Sequence, residues 1–151
     1  MIGMNKVGVP ATYKGRKIGI LVLVATQTFI GIIHSFFGIF LLVAGSSDVL
    51  FPSISFSEIY SIYTLFYGLL TIISTYGLWM NNRWGWISTL SISIFVIIMD
   101  SLTLLNMPII PEIPKFAAVS EILYSLVVLL YIIQPKIQHI FLKTKNTHAI
   151  L

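Results

Sequence analysis

Four long apolar stretches divide this chain, and its fixed charges are sorted to opposite sides of them, a pattern that a bilayer imposes and a soluble core does not. The stretches run from Ile18 to Ala44, Ile59 to Met80, Trp84 to Leu105 and Phe116 to Ile133. Each holds about 18 to 27 residues, and a helix needs about 20 apolar residues to cross a hydrocarbon core of about 30 Å. Lys6, Lys14, Arg16 and Lys17 precede the first stretch, Arg83 separates the second from the third, and Lys136, Lys143 and Lys145 follow the fourth. Only Lys115 falls on the other side, and Asp48, Glu58, Asp100, Glu112 and Glu121 lie on or toward that side. Basic flanks are retained in the cytoplasm, so both termini and the short second connection are expected there. The expected fold is all-α: a polytopic, multi-pass protein of the cell membrane, an antiparallel up-down-up-down bundle of four transmembrane helices.

Composition bounds what else the chain can be. With 57% hydrophobic and 9% charged residues, it stands far from soluble domains, in which about a quarter of residues are charged. Residues 1–17 read as a basic cytoplasmic tail, 18–134 as the transmembrane domain with spans 18–44, 59–80, 84–105 and 115–134, and 135–151 as a second basic tail. That division leaves no length for a soluble catalytic domain. The net charge of +4 is scattered over the flanks, where it orients helices and meets anionic headgroups; nucleic acid is not an expected partner. The absence of cysteine rules out disulfides, thiolate metal sites and thiol catalysis within the chain. Val43-Ala44-Gly45-Ser46 resembles a signal-peptidase site, yet the preceding apolar run far exceeds a signal's usual roughly 7 to 15 residues. A retained signal-anchor helix is expected.

The connections carry their own signals. Asn81-Asn82-Arg83 is short enough to force a helical hairpin, so the second and third helices are neighbours. Pro108, Pro111 and Pro114 exclude helix between the third and fourth spans, Pro114 is placed to open the fourth, and Pro135 to close it. Trp79, Trp84 and Trp86 beside Arg83 read as interfacial anchors at one membrane face, and Tyr60 and Tyr63 as their counterparts at the other.

Inside a membrane, small and polar residues mark helix contacts. Gln27, Gly31, His34 and Gly38 share one face of the first helix; Tyr60, Thr64, Tyr67, Thr71 and Thr75, with Gly68, one face of the second. Thr89, Ser93, Asp100 and Thr103 form a stripe on the third helix, and Glu121, Tyr124 and Ser125 lie near the start of the fourth. Four such stripes predict a closed bundle with Gln27, Gly31, Gly38, Tyr67, Gly68, Thr71 and Ser93 in its helix contacts. The helical rise puts Asp100 and Glu121 roughly 7 to 10 Å below the outer surface and His34 roughly 15 Å down, near the midplane.

Ionisable groups at such depth call for partners. His34, Glu58, Asp100 and Glu121 form the candidate proton or cation site, a funnel from the outer face to mid-membrane in which Asp100 and Glu121 share a proton or, with His34, bind a divalent cation. The structural alternative pairs the acids with water, Lys115, Tyr124 or Thr103, and His34 with Tyr67 or Thr71. No Glu-x-x-His spacing, Rossmann glycine pattern, P-loop or HExxH occurs, so no catalytic residue, metal or cofactor is expected.

Tyr76-Gly77-Leu78-Trp79 followed by Arg83-Trp84 resembles a family of small four-helix integral membrane proteins of unknown function. In that family a Gly-Leu-Trp helix end, a short basic turn and an opening Trp precede an acid near the far end of the next helix. The resemblance covers mainly residues 60–134. It implies the architecture and no activity, and it places Asp100 where the family usually has glutamate. The expected function is non-enzymatic: an accessory or assembly subunit of a larger membrane complex of respiratory or membrane-bound oxygenase type, bound to other membrane subunits or to itself. The alternative is a proton or cation carrier or sensor.

Overall fold

The computed structural model describes residues 11–45, 58–107, 109 and 113–142. They form α1 (Ala11–Gly45), α2 (Glu58–Trp79), α3 (Arg83–Leu104), α4 (Lys115–Ile132) and α5 (Pro135–Leu142), with no strand among the described residues. Ile18–Ala44 within α1, and the whole of α2, α3 and α4, are long and apolar enough to cross a membrane. Helix α1 begins at Ala11, so it already runs through Lys14, Arg16 and Lys17 before the apolar stretch starts. The loop expected between Gly45 and Glu58 lies outside the described residues, as do Lys6, Pro108, Pro111 and the chain from Lys143 onward.

Asparagine ends two of the helices. Asn81 has φ 53°, and the Asn82 N–H donates to the Gly77 carbonyl at 2.9 Å. At the end of α3, Asn106 has φ 58° and the Met107 N–H reaches the Leu102 carbonyl at 2.9 Å. Both are left-handed caps whose six-to-one hydrogen bond satisfies an orphan carbonyl, with asparagine in the place glycine usually takes. Pro114 caps α4 from outside, with Lys115 its first helical residue. Pro135 not only stops α4 but opens α5, where its missing N–H costs nothing.

Successive helices pack on one another, α1 chiefly on α2, α2 on α3 and α3 on α4, whereas the backbones of α1 and α4 barely approach. Small residues make the close contacts. A methyl group added at Gly38 would sit 2.5 Å from the Leu65 backbone nitrogen, and one at Gly31 would sit 3.0 Å from the Gly68 carbonyl oxygen. Gln27 lies opposite Thr75, so contacts descend α2 as they climb α1. Gly77 and Gly85 meet backbone to backbone beside the α2–α3 turn. This accounts for Tyr76-Gly77-Leu78-Trp79: Gly77 permits the approach, Leu78 is fully buried, and Tyr76 and Trp79 face outward.

The interior has two apolar ends and a polar waist. Ile20, Leu23 and Val24 of α1, Leu78 of α2, and Val128 and Ile132 of α4 form one cluster near the α2–α3 turn. It is completed by Ile137 and Phe141 of α5. These two residues lie four apart, so an eight-residue helix presents both on one face. The stretch from Pro135, expected as a tail, thus begins with a helix packed on the interior. Leu41, Tyr60, Met99, Ile113 and Ala118 form the other cluster, at the opposite end. Between the clusters, Thr64, Thr71, Ser74 and Thr75 are buried and bond within their own helix: Thr64 to the Tyr60 carbonyl, Thr71 to Tyr67, Ser74 to Leu70, Thr75 to Thr71.

Candidate functional site

In the waist, α1 and α4 meet through polar side chains. His34 Nε2 stands 3.3 Å from Glu121 Oε1. His34 Nδ1 lies 2.9 Å from the Ile30 carbonyl oxygen. A carbonyl only accepts, so Nδ1 carries a hydrogen and donates it. A neutral His34 then has a bare Nε2 facing a carboxylate oxygen, two acceptors in contact. The pair is favourable only with one further proton, on Nε2 or on Oε1. The Tyr67 ring holds the imidazole from the side, edge to face, with ring centroids 4.8 Å apart. Tyr63 stacks beside Tyr67 at 6.2 Å.

Asp100 on α3 completes the group. It is 0% exposed, and neither carboxylate oxygen has a hydrogen-bond partner. Both Glu121 and His34 lie within electrostatic range of it. A buried carboxylate without donors is among the costliest groups a membrane interior can hold, so a negative charge on Asp100 needs positive charge nearby. The Tyr63 hydroxyl is likewise buried without a hydrogen-bond partner.

The predicted residues divide accordingly. His34 and Glu121 meet; Asp100 acts on both electrostatically but shares no hydrogen-bonded proton with Glu121, which turns to His34 instead. Estimating depth along each helix separately put His34 below Glu121. The two meet because the ends of α1 and α4 are not level, and rise along one helix carries no information about offset between two. Glu58 stands exposed at the start of α2, outside the group. Among the described residues, no three of His, Asp and Glu are close enough to hold a metal ion, so a divalent-cation site of His34, Glu58, Asp100 and Glu121 is not assembled. Lys115 donates to Asn106 Oδ1 at 2.7 Å and Thr103 to the Met99 carbonyl, so two of the expected partners of the acids are engaged elsewhere.

Of the packing residues, Gln27, Gly31, Gly38, Tyr67, Gly68, Thr71 and Ser93 are all buried. Trp79, Arg83 and Trp84 are exposed at the α2–α3 turn as expected of anchors. Trp86 differs: it is half-buried and donates its Nε1–H to the Ile132 carbonyl at 3.0 Å, tying α3 to the end of α4. No protein-family model, curated protein or solved structure matches the chain.

Proposed function

We propose that this is a non-enzymatic membrane protein that binds and releases protons at His34, Glu121 and Asp100, acting as a proton-coupled carrier or sensor. The four long helices then form an up-down-up-down transmembrane bundle in the cell membrane with both termini cytoplasmic, the orientation favoured by the basic flanks. The observation that carries the reading is the His34–Glu121 contact. With Nδ1 committed to the Ile30 carbonyl, the Nε2 to Oε1 approach of 3.3 Å requires a proton that either partner can hold. The apolar clusters above and below separate this group from both membrane faces, which suits the occluded state of a carrier. Infrared difference spectroscopy of reconstituted protein tests it. A carboxyl band that comes and goes with pH, and is lost or shifted in Glu121→Gln and His34→Gln, is the expected result. A wild-type spectrum without any pH-dependent carboxyl band overturns it.

A second reading, an accessory or assembly subunit of a larger membrane complex, is favoured by the uneven covering of the helices. In the spanning windows, 50% of residues are buried for α2 but only 28% for α1 and 22% for α4, leaving two helices with faces for other subunits. Purification from native membranes in fixed ratio with other proteins would support it, and a lone chain would count against it.

A further inference from the structure

We propose that the seam between α1 and α4 is a lateral binding site for a lipophilic organic cation, taken up from the bilayer in exchange for a proton. The inference rests on the proton reading and names what the same group binds.

Access is the first ground. His34 and Glu121 face the interior, between two clusters that draw on all four long helices, yet keep 21% and 22% of their side-chain surface exposed. With both ends filled, a sideways opening through the seam, where the α1 and α4 backbones barely approach, accounts for that exposure. A solute dissolved in the membrane reaches the pair this way; a hydrated ion does not.

The chemistry of the walls is the second ground. Tyr67 on α2 packs edge to face on His34 at 4.8 Å and Tyr63 stacks on Tyr67 at 6.2 Å, and Asp100 on α3 and Glu121 on α4 act electrostatically on His34 and on both tyrosines. Thus two carboxyl groups are set against one imidazole. The basic side chains nearest in sequence are spoken for at the ends: Lys115 is exposed and held by Asn106, and Arg83 is exposed at the turn. An anionic headgroup would meet two acids without a counter-charge. A cation would meet acids, with the Tyr63 and Tyr67 rings beside them.

Charge balance supplies the exchange. The His34–Glu121 pair holding one proton is neutral, and Asp100 in its acid form adds none. Release of the Asp100 proton leaves one negative charge, which a bound monocation neutralises: one cation in, one proton out. Asp100, fully buried with both oxygens unpartnered, is the independent sign that this waist lacks a counter-charge.

Tetraphenylphosphonium, with its isosteric anion tetraphenylborate as control, tests the proposal on full-length protein in lipid nanodiscs. Expected are saturable phosphonium binding, about one proton released per cation bound, no competition by the borate, and about tenfold weaker binding in both Glu121→Gln and Asp100→Asn. Two conservative variants guard against misfolding of either one. Phosphonium uptake no greater than that of empty nanodiscs, or unchanged affinity in both variants, overturns the site. Saturable binding without proton release overturns the exchange. If the pH-dependent carboxyl band is present and phosphonium binding absent, the cation inference falls alone; if the band is absent, the proton reading falls as well.

Discussion

The contact between α1 and α2 and the seam between α1 and α4 use the same helix in opposite ways. Against α2, α1 presents Gly31 and Gly38, and backbone meets backbone so closely that no side chain fits between. Against α4 it presents His34 and apolar side chains that reach across a gap the backbones leave open. The first contact is fixed by van der Waals packing, the term that holds helices together in lipid. The second depends on a proton. One face of α1 is therefore structural and the neighbouring face is responsive, and this places any moving part at α4 and spares α2.

The sharpest way to break that contrast is Gly38→Ala. Its new methyl would meet the Leu65 backbone at 2.5 to 2.7 Å, and backbone cannot step aside without separating two helices. A loss of about 2 kcal/mol or more is expected, read as a lower unfolding temperature in detergent; unchanged stability would show the α1–α2 contact to be slack. Asp100→Leu probes the waist and carries the opposite sign. Removing an unpartnered buried carboxyl for an apolar side chain of similar size should raise stability by about 1 kcal/mol while abolishing phosphonium binding. A stability loss there would mean that Asp100 has a partner that holds it. The smallest effect is expected from Gly19→Ala on the seam. Its methyl would run into the Tyr131 side chain near the hydroxyl, and a side chain yields more readily than backbone, so a loss of about 0.5 kcal/mol is expected.

Much of the fixed side of this comparison was legible in the sequence. Gly31, Gly38 and Gly68 announce close helix contacts because lipid offers apolar faces no reason to associate, and Asn81-Asn82-Arg83 admits only a hairpin. The responsive side was legible in composition but not in geometry. His34, Asp100 and Glu121 stand out as intramembrane ionisable residues, yet which pair touches depends on the offset between α1 and α4, and that offset is set by loops and tilt. Glu58 looked equivalent because it is also an acid at a helix end; only the fold shows it turned outward. Helix α5 was hidden by its basic neighbours, although Ile137 and Phe141 at a spacing of four were the available clue.

The buried threonines and serines of α2 have one more consequence. Because Thr64, Thr71, Ser74 and Thr75 each donate to a carbonyl of their own helix, these hydroxyl bonds travel with α2 when it shifts. A shift of α4 past α2 would therefore leave this bonding intact, while the contacts at Gly31 and Gly38 and the Thr75–Gln27 bond keep α2 on α1. The polar waist is hydrophilic without being stitched across helices, so its hydroxyls offer few bonds to break when α4 moves against them.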